Sequence, residues 1–313
     1  MGLIEQAAKR LEELKRTGVD LQDGLREAGA NGDADPLVLE RPDPPAPAPA
    51  GRARAPASRP GLPRAEDAPA TPRVAIDLAR LARAGLVTPD APQTPIAREF
   101  RVIKRPVLEN AQGKSGARVK DGNLVMVTSA LAGEGKSFCA VNLAMSMAME
   151  LDNTVLLVDA DVANPSVLEI LGLPQAPGLL DALTDPLRDL SGVMLRTNVE
   201  KLSVLPAGTR HERATELLAS EAMTRLVHEM ASRYPDRIIV FDSPPLLLTT
   251  ESPVLATHMG QIVVVVEADQ TTSNTVKQAL ATVERCPVVL TLLNKARASD
   301  MNAYYGYGYR QGQ

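Results

Sequence analysis

The stretch that decides the fold is VMVTSALAGEGKSFCAVNLAM, residues 125–145. It consists of a short apolar run, a loop of small residues and a run of helix-forming residues. Residues 130–137 fit the phosphate-loop (P-loop) pattern of a small residue, four variable residues and Gly-Lys-Ser, with alanine in first place. Small residues let successive backbone N–H groups curl around phosphate oxygens, and the following helix adds its positive dipole end. The segment therefore predicts a nucleotide-phosphate site.

The P-loop pattern assigns roles to individual side chains. Lys136 is expected to reach the β- and γ-phosphates of ATP, and the Ser137 hydroxyl is expected to bind Mg2+. The predicted nucleotide-binding residues are Ala130, Leu131, Ala132, Gly133, Glu134, Gly135, Lys136, Ser137 and Phe138.

Six short apolar runs rich in Val, Ile and Leu recur from residue 123 onward, and helical stretches separate them. Such alternation predicts an α/β fold: a doubly wound, mostly parallel sheet covered on both faces. Ligands of such sheets bind beyond the carboxyl ends of the strands, so the polar residues after each run are the functional candidates. The runs are NLVMVTSA, NTVLLVDAD, KLSVLPAG, RIIVFDSPP, QIVVVVEAD and PVVLTLLNKA.

Three carboxylates end two of these runs. Asp159 and Asp161 follow the second run, and Asp242 ends the fourth. A carboxylate at a strand end beside a P-loop holds Mg2+, and a second one can accept a nucleophile's proton. We expect Lys136, Asp159 and Asp161 to be catalytic, and Ser137, Asp159, Asp161 and Asp242 to hold Mg2+. The alternative is that Asp159 and Asp161 are helix-cap and turn residues.

Asn294 ends the last apolar run. In this position its amide can read the edge of an adenine base, and we include it in the predicted nucleotide site. The alternative is a turn role, which is common for asparagine.

The ends of the chain differ from its middle. Residues 96–111 predict a helix up to or across Pro106, which would interrupt it. Four of the five tyrosines stand in YYGYGYRQGQ, where Gly306 and Gly308 disfavour a buried strand. The predicted segments are an amphipathic helical segment (1–30), a Pro/Ala-rich disordered linker (31–72), a helical region for oligomerisation (73–110), the P-loop domain (111–300) and a tyrosine-rich tail (301–313).

Composition narrows the class of protein. A formal net charge of −4 gives no indication of nucleic acid as a partner. Cys139 and Cys286 make no disulfide framework and fit a reducing compartment. No apolar run reaches the roughly 18–20 residues of a membrane helix. We therefore expect a soluble, cytoplasmic protein that can dock on a membrane partner.

These motifs together resemble the bacterial tyrosine kinases (BY-kinases) that regulate polysaccharide synthesis and export. The resemblance rests on ALAGEGKS, VLLVDADVANPS, VFDSPP and the terminal tyrosines, and it covers roughly residues 95–313. GLLDALTDPLRDLSGVMLRTNVEKLSVLPAG looks like the autokinases of exosortase/PEP-CTERM exopolysaccharide loci. The resemblance implies a fold similar to the partitioning ATPases, with ATP and Mg2+ as cofactors. It also implies self-phosphorylation at Tyr304, Tyr305, Tyr307 and Tyr309.

The resemblance further implies partners and a location. The expected partners are a membrane activator similar to chain-length determinants, further copies of the chain in a ring oligomer, and a phosphotyrosine phosphatase. The activator is expected to recruit the protein to the inner face of the plasma membrane.

Two departures from the BY-kinase pattern bear on ring geometry. An arginine commonly stands two residues after the second aspartate of the D-x-D box, where this chain has Ala163 followed by Asn164. The ring-building E-x2-R-x2-R motif corresponds here to Arg98, Arg101 and Lys104, with the glutamate displaced to position 99.

Two alternative functions remain open. One is a non-kinase P-loop ATPase switch of the partitioning or positioning type. Such proteins usually carry an additional lysine near the start of the P-loop, and TSALAGEGK has none there. The other is a structural regulator that binds nucleotide without transferring phosphate.

Overall fold

The structure is a computed structural model, and it describes residues 71–113, 119–185, 189–233 and 236–297. The predicted N-terminal segment 1–30, the linker up to residue 70 and the tail 301–313 lie outside the described residues. The predictions made for them, including the acceptor role of the four tail tyrosines, stay predictions.

Within the described residues, seven strands form one sheet in the order β3-β4-β2-β5-β1-β6-β7. All neighbouring strands are parallel except β3, which runs antiparallel to β4. The predicted α/β fold is confirmed, and each of the six apolar runs contains a strand. The strands are β1 Leu124–Ser129, β2 Thr154–Asp159, β3 Leu195–Arg196, β4 Leu202–Leu205, β5 Arg237–Asp242, β6 Gln261–Glu267 and β7 Val288–Asn294.

The helices cover both faces of this sheet. Ser220 divides the predicted helical stretch 214–234 in two, because its hydroxyl accepts a hydrogen bond from the Met223 amide (3.2 Å) and so starts a new helix. The helices are α1 Leu78–Arg83, α2 Pro95–Gln112, α3 Lys136–Ala148, α4 Val167–Leu171, α5 Leu179–Thr184, α6 Ala214–Leu218, α7 Glu221–Arg233, α8 Glu251–Ala256 and α9 Ser273–Thr282, with a 3-10 turn at Leu190–Gly192.

Alternate side chains of β1 show how the two layers of core are divided. Val125 and Val127 pack in the cluster that includes α1, α2 and α3. Leu124 and Met126 pack in the cluster that includes α7, α8 and α9. Strands covered on both faces are apolar at every position, which explains why their sequences lack alternation.

Helix α2 continues through Pro106 to Gln112, although proline was expected to interrupt it. Pro106 is exposed, as is Val102 one turn earlier, whose carbonyl has no amide partner at position 106. Water can hydrate a carbonyl on this outer side, so the missing hydrogen bond does not end the helix.

The three positions of the expected ring motif on α2 have different surroundings. Arg98 and Arg101 are exposed and donate to the carbonyls of Gln93 and Pro92 (both 3.1 Å). Lys104 is 5% exposed, donates to the Ser146 carbonyl (2.6 Å) and pairs with Glu150 (2.6 Å). Lys104 therefore fastens α2 to the end of α3. Among the described residues, no helix is long and apolar enough to cross a membrane.

Candidate active site

The P-loop lies between β1 and α3, and two glycines shape it. Gly133 and Gly135 have φ angles of 87° and 92°, a left-handed conformation that disfavours side chains. Within the described residues, the amides of residues 132–135 donate to no protein acceptor. A concave run of unpaired amides at the start of a helix is an anion site, so the loop fits phosphate.

One side of the P-loop is held by the segment after β5. The Leu246 amide donates to the Ser129 carbonyl (2.8 Å), and the Leu247 amide donates to the Ala130 carbonyl (3.2 Å). The Ser243 amide donates to the Val127 carbonyl (3.0 Å), which continues the β1–β5 pairing past the strand end. These bonds place Asp242 beside the loop.

The other side of the P-loop is held through Glu134, which is 2% exposed. One carboxylate oxygen accepts from the Leu131 amide (2.6 Å). The other accepts from the Glu267 amide (3.4 Å) and from the Thr271 hydroxyl. The carboxylate thus ties the loop to the end of β6.

The end of β7 contacts the same side of the loop. The Asn294 side-chain amide donates to the Glu134 carbonyl (2.9 Å). The Lys295 ammonium donates to the Gly133 carbonyl (2.8 Å) and pairs with Glu267 (2.9 Å). We call Glu267, Thr271, Asn294 and Lys295 the clamp.

The two carboxylate oxygens of Asp159, at the end of β2, have different surroundings. Oδ2 accepts from the Ser166 and Val167 amides (3.1 and 3.0 Å), which begin α4. Oδ1 is buried and has no hydrogen-bond partner within the described residues. The helix-cap alternative is therefore real for one oxygen, while the other remains available to a ligand.

Asp161 shows a similar division. Its Oδ1 accepts from the Asn164 amide (3.2 Å), which is a turn contact, and its Oδ2 pairs with the Lys136 ammonium (2.7 Å). Asp242 is fully buried and lies 3.9 Å from the same ammonium. Neither oxygen of Asp242 accepts a hydrogen bond of ordinary geometry within the described residues, although the Ser137 hydroxyl lies near enough to lower its pKa. Lys136 also donates to the Ser137 hydroxyl (3.1 Å).

Burial and mutual repulsion shift the pKa values of these groups. Burial, together with the charge of Asp242, raises the pKa of Asp159 to about 8. Burial raises the pKa of Asp242 to about 6, against the opposing effect of the Lys136 charge. Burial lowers the pKa of Lys136, but the charges of Asp242 and Asp161 outweigh it and raise that pKa overall. The site is thus electrostatically costly as it stands, which is typical of functional clusters.

The site fits a magnesium nucleotide. Three buried carboxylate oxygens, on Asp159 and Asp242, lack hydrogen-bond partners in the described structure, and leaving such groups without hydrogen bonds is costly. Among the described residues no three His, Cys, Asp or Glu side chains form a metal cage. Mg2+ needs none, because it commonly binds through one or two carboxylates together with phosphate oxygens and water. Ser137, Asp159 and Asp242 could therefore hold Mg2+, while the loop amides and Lys136 hold phosphates.

The structure brings Lys136, Ser137, Asp159, Asp161 and Asp242 together at one edge of the sheet, as the sequence predicts. Asn294 lies at that edge too, with its amide nitrogen on the loop backbone. The Phe138 side chain packs against the α1–α3 cluster. The predicted contacts of these residues with nucleotide, including those of Asn294 and Phe138, stay predictions.

Sequence reasoning missed the other clamp residues: Glu267, Thr271 and Lys295. The available indication in the sequence was weak. Polar residues lie at or after the ends of β6 and β7, and ligands of parallel sheets bind beyond such strand ends. Ala163 and Asn164, where the family pattern departs, are exposed beside the site.

Comparison with known proteins agrees with this geometry. Residues 120–291 match the ParA family, described as NUBPL iron-transfer P-loop NTPase. The tyrosine-protein kinase YwqD of Bacillus subtilis is 31% identical over 59% of this chain and 77% of that protein. The solved BceF tyrosine kinase domain is 25% identical, with a TM-score of 0.54, over 68% of this chain and 86% of that one.

EpsB of Ralstonia nicotianae is 31% identical over 72% of this chain. The chain spans 28% of the length of that relative.

Proposed function

This chain belongs to the ParA-type P-loop NTPases and to the bacterial tyrosine-protein kinases, and from that premise we propose that it is an ATP-dependent protein-tyrosine autokinase. Its own tyrosine cluster, Tyr304, Tyr305, Tyr307 and Tyr309, is the acceptor. The observation that carries the proposal is the set of buried carboxylate oxygens on Asp159 and Asp242 that lack hydrogen bonds beside Lys136 and the P-loop.

The residues divide the work of phosphoryl transfer. When bound, Mg2+ would supply charge neutralisation at the phosphate oxygens, and Ser137 and Asp242 would hold it. The loop amides orient the phosphates, and Lys136 balances their negative charge. Asp161 fixes the Lys136 ammonium through their 2.7 Å contact.

Asp159 is the proposed acceptor of the tyrosine proton in the Mg–ATP complex, where a bound cation would favour its ionised form over the protonated form that burial favours in the empty site. A free phenol has a pKa of about 10, so a nearby carboxylate assists as the oxygen attacks. Oδ1 of Asp159 lacks a partner among the described residues, while Oδ2 is fixed by the start of α4. The fixed oxygen holds the free one in place.

The acceptor segment follows in sequence a strand that ends near this site. Strand β7 ends at Asn294, next to the P-loop, and Tyr304 follows ten residues later. An extended chain of that length spans at most about 36 Å. The tail can therefore meet the site of its own chain or of a neighbouring one.

Each phosphorylated tyrosine adds about −1.5 to −2 charges to the tail. We propose that this charge repels the tail from the acidic site and releases an assembly of several copies. A cycle of assembly and release would regulate exopolysaccharide synthesis or export. A membrane activator would recruit the protein to the inner membrane face, and a phosphotyrosine phosphatase would reset it.

The test is incubation of the full-length protein with Mg–ATP, with and without a candidate activator segment, followed by detection of phosphotyrosine and of ADP. We expect phosphotyrosine in the wild type, none in Lys136→Ala, and none in a variant with all four tail tyrosines changed to Phe. Lys120→Ala, on the exposed surface, is the matched lysine control and keeps wild-type labelling.

ADP formation without any phosphotyrosine would instead identify a non-kinase ATPase switch. Binding of ATP without either product would identify a structural regulator. Label that persists on the four-Phe protein would refute the tail as the main acceptor.

A further inference from the structure

Two carbonyl groups of the P-loop are held from outside by side chains of one dipeptide. Asn294 donates to the Glu134 carbonyl at 2.9 Å, and Lys295 donates to the Gly133 carbonyl at 2.8 Å. These donors come from residues 160 and 162 positions away in sequence. A contact of this kind is made by the tertiary fold and not by local turn chemistry.

Because the peptide group is planar, these two contacts also fix the directions of the loop amides at the phosphate site. In a planar trans peptide, the C=O and the next residue's N–H point in opposite directions. Holding the Gly133 carbonyl fixes the Glu134 amide, and holding the Glu134 carbonyl fixes the Gly135 amide. Both amides lack a protein acceptor within the described residues, as phosphate-binding amides must before the ligand arrives.

Asn294 lies against the loop at close range. A Cβ added at Gly135 would stand 2.2 Å from the Asn294 amide nitrogen, so this contact, in addition to the φ of 92°, requires glycine there. Substituting position 135 would therefore disturb Asn294 as well as the loop. The loop and the clamp are complementary in shape.

Lys295 is also held in a defined position, by its backbone conformation and by an ion pair. Its backbone has a φ of 58°, an uncommon conformation for a side-chain-bearing residue, which turns the chain directly after Asn294. Its ammonium is fixed by Glu267 at 2.9 Å while it donates to Gly133. Strained residues of this kind persist where the surrounding structure enforces them.

We propose that Asn294 and Lys295 are positioning residues that aim the Glu134 and Gly135 amides at the phosphates of the bound nucleotide. The inference rests on the proposed nucleotide-binding function and deepens it. It gives Asn294 a different task from reading the adenine edge. Asn294 then determines how tightly phosphate is held, and base selectivity resides elsewhere.

The test separates phosphate from base by using a ligand that has no base. Isothermal titration of full-length Asn294→Ala would be performed with magnesium tripolyphosphate, Mg–ATP and Mg–GTP. We expect the affinities for tripolyphosphate and for ATP to fall by the same factor, about tenfold. That factor corresponds to the loss of roughly one well-oriented hydrogen bond. The ratio of ATP to GTP affinity stays at the wild-type value.

Two further measurements make the test independent of one variant. Lys295→Met removes the second donor from a half-exposed position and is expected to weaken tripolyphosphate binding about threefold to tenfold. The protection that bound tripolyphosphate gives to the amides of residues 134 and 135 against hydrogen exchange is expected to fall in both variants. Asn274→Ala and Lys277→Met, exposed on α9, are matched controls with wild-type affinities and exchange.

The outcomes distinguish failure of this inference from failure of the proposed function. Wild-type tripolyphosphate affinity in Asn294→Ala, together with a selective loss of ATP over GTP, would show base reading and overturn the positioning role. Unchanged affinities for all three ligands in both variants would overturn it too. A wild-type protein that binds neither tripolyphosphate nor ATP would refute the nucleotide function itself.

Discussion

Two charged clusters lie at the same edge of the sheet, one on each side of the P-loop, and they differ in how their polar atoms are satisfied. In the first, Lys136 faces three aspartates, yet three carboxylate oxygens of Asp159 and Asp242 have no hydrogen-bond partner within the described residues. In the second, both oxygens of Glu134 accept hydrogen bonds, and the charges of Glu267 and Lys295 pair. Similar residue types thus build a proposed ligand site and a scaffold.

The difference gives a physical criterion for telling the two apart. An unpaired buried polar group costs free energy, so it persists where a ligand satisfies it during function. A fully paired group stabilises the fold and needs no ligand. Substitutions in the first cluster should therefore act directly on phosphoryl transfer. Substitutions in the second should act through stability and through the position of the loop, and four substitutions test that separation.

The largest expected effect is on transfer in Lys136→Met. Removing the ammonium that balances phosphate charge should slow tail phosphorylation by at least about 100-fold. Quantitative phosphotyrosine detection in single-turnover reactions would measure it. A loss of less than about fivefold would show that Lys136 is not part of the phosphate site.

The second substitution, Asp242→Asn, should move activity and stability in opposite directions. It removes a buried negative charge that repels Asp159 and Asp161, so the free energy of unfolding should rise by about 1–2 kcal/mol without Mg2+. Autophosphorylation should fall about 10- to 100-fold because a metal ligand is lost.

Thermal unfolding with and without Mg2+ measures the stability part of this prediction. Wild-type protein should gain stability on addition of Mg2+, and Asp242→Asn should gain less. A variant that is less stable than wild type and responds to Mg2+ as strongly would contradict the assignment of Asp242 to a ligand site.

Glu134→Ala should mainly lower stability. It leaves the Leu131 amide, the Glu267 amide and the Thr271 hydroxyl without their acceptor, at a cost of about 2–3 kcal/mol in the free energy of unfolding. Urea denaturation followed by circular dichroism would measure this loss. Unchanged stability would show that the second cluster is not a scaffold.

Thr271→Val is the smallest change, because it removes one hydroxyl and preserves the shape of the side chain. We expect a loss of about 1 kcal/mol in stability, with the phosphorylation rate within about twofold of wild type. The same urea titration and single-turnover assay apply. A large loss of transfer with unchanged stability would place Thr271 in the ligand site instead.

The first cluster could be predicted from the sequence because the motifs that indicate it are local. The Gly-Lys-Ser pattern fixes one part of the site, and Asp159 and Asp242 each end an apolar run. Parallel strands bring their carboxyl ends to one edge, so the residues meet without any knowledge of side-chain packing. The pairing of Asp159 with Asp242 across β2 and β5 follows from that rule.

The second cluster was not accessible, because the bonds that join the P-loop to the ends of β6 and β7 connect residues more than 130 positions apart. Nothing in a glutamate within a P-loop pattern indicates that its carboxylate faces inward. The burial of Lys104 was missed for a related reason, since its partners lie on another helix. Strand β3 was missed because it has two residues, which are too few to form a sequence pattern.

Helix α3 has a consequence for protein engineering. Every residue from 139 to 148 is buried, on all sides of the helix. Enlarging any of these side chains would overpack the interior, which typically costs 1–3 kcal/mol. The helix that follows the P-loop is therefore nearly closed to redesign. Efforts to retune this protein toward other phosphate-bearing compounds should begin at the clamp, where side chains reach the loop from the surface.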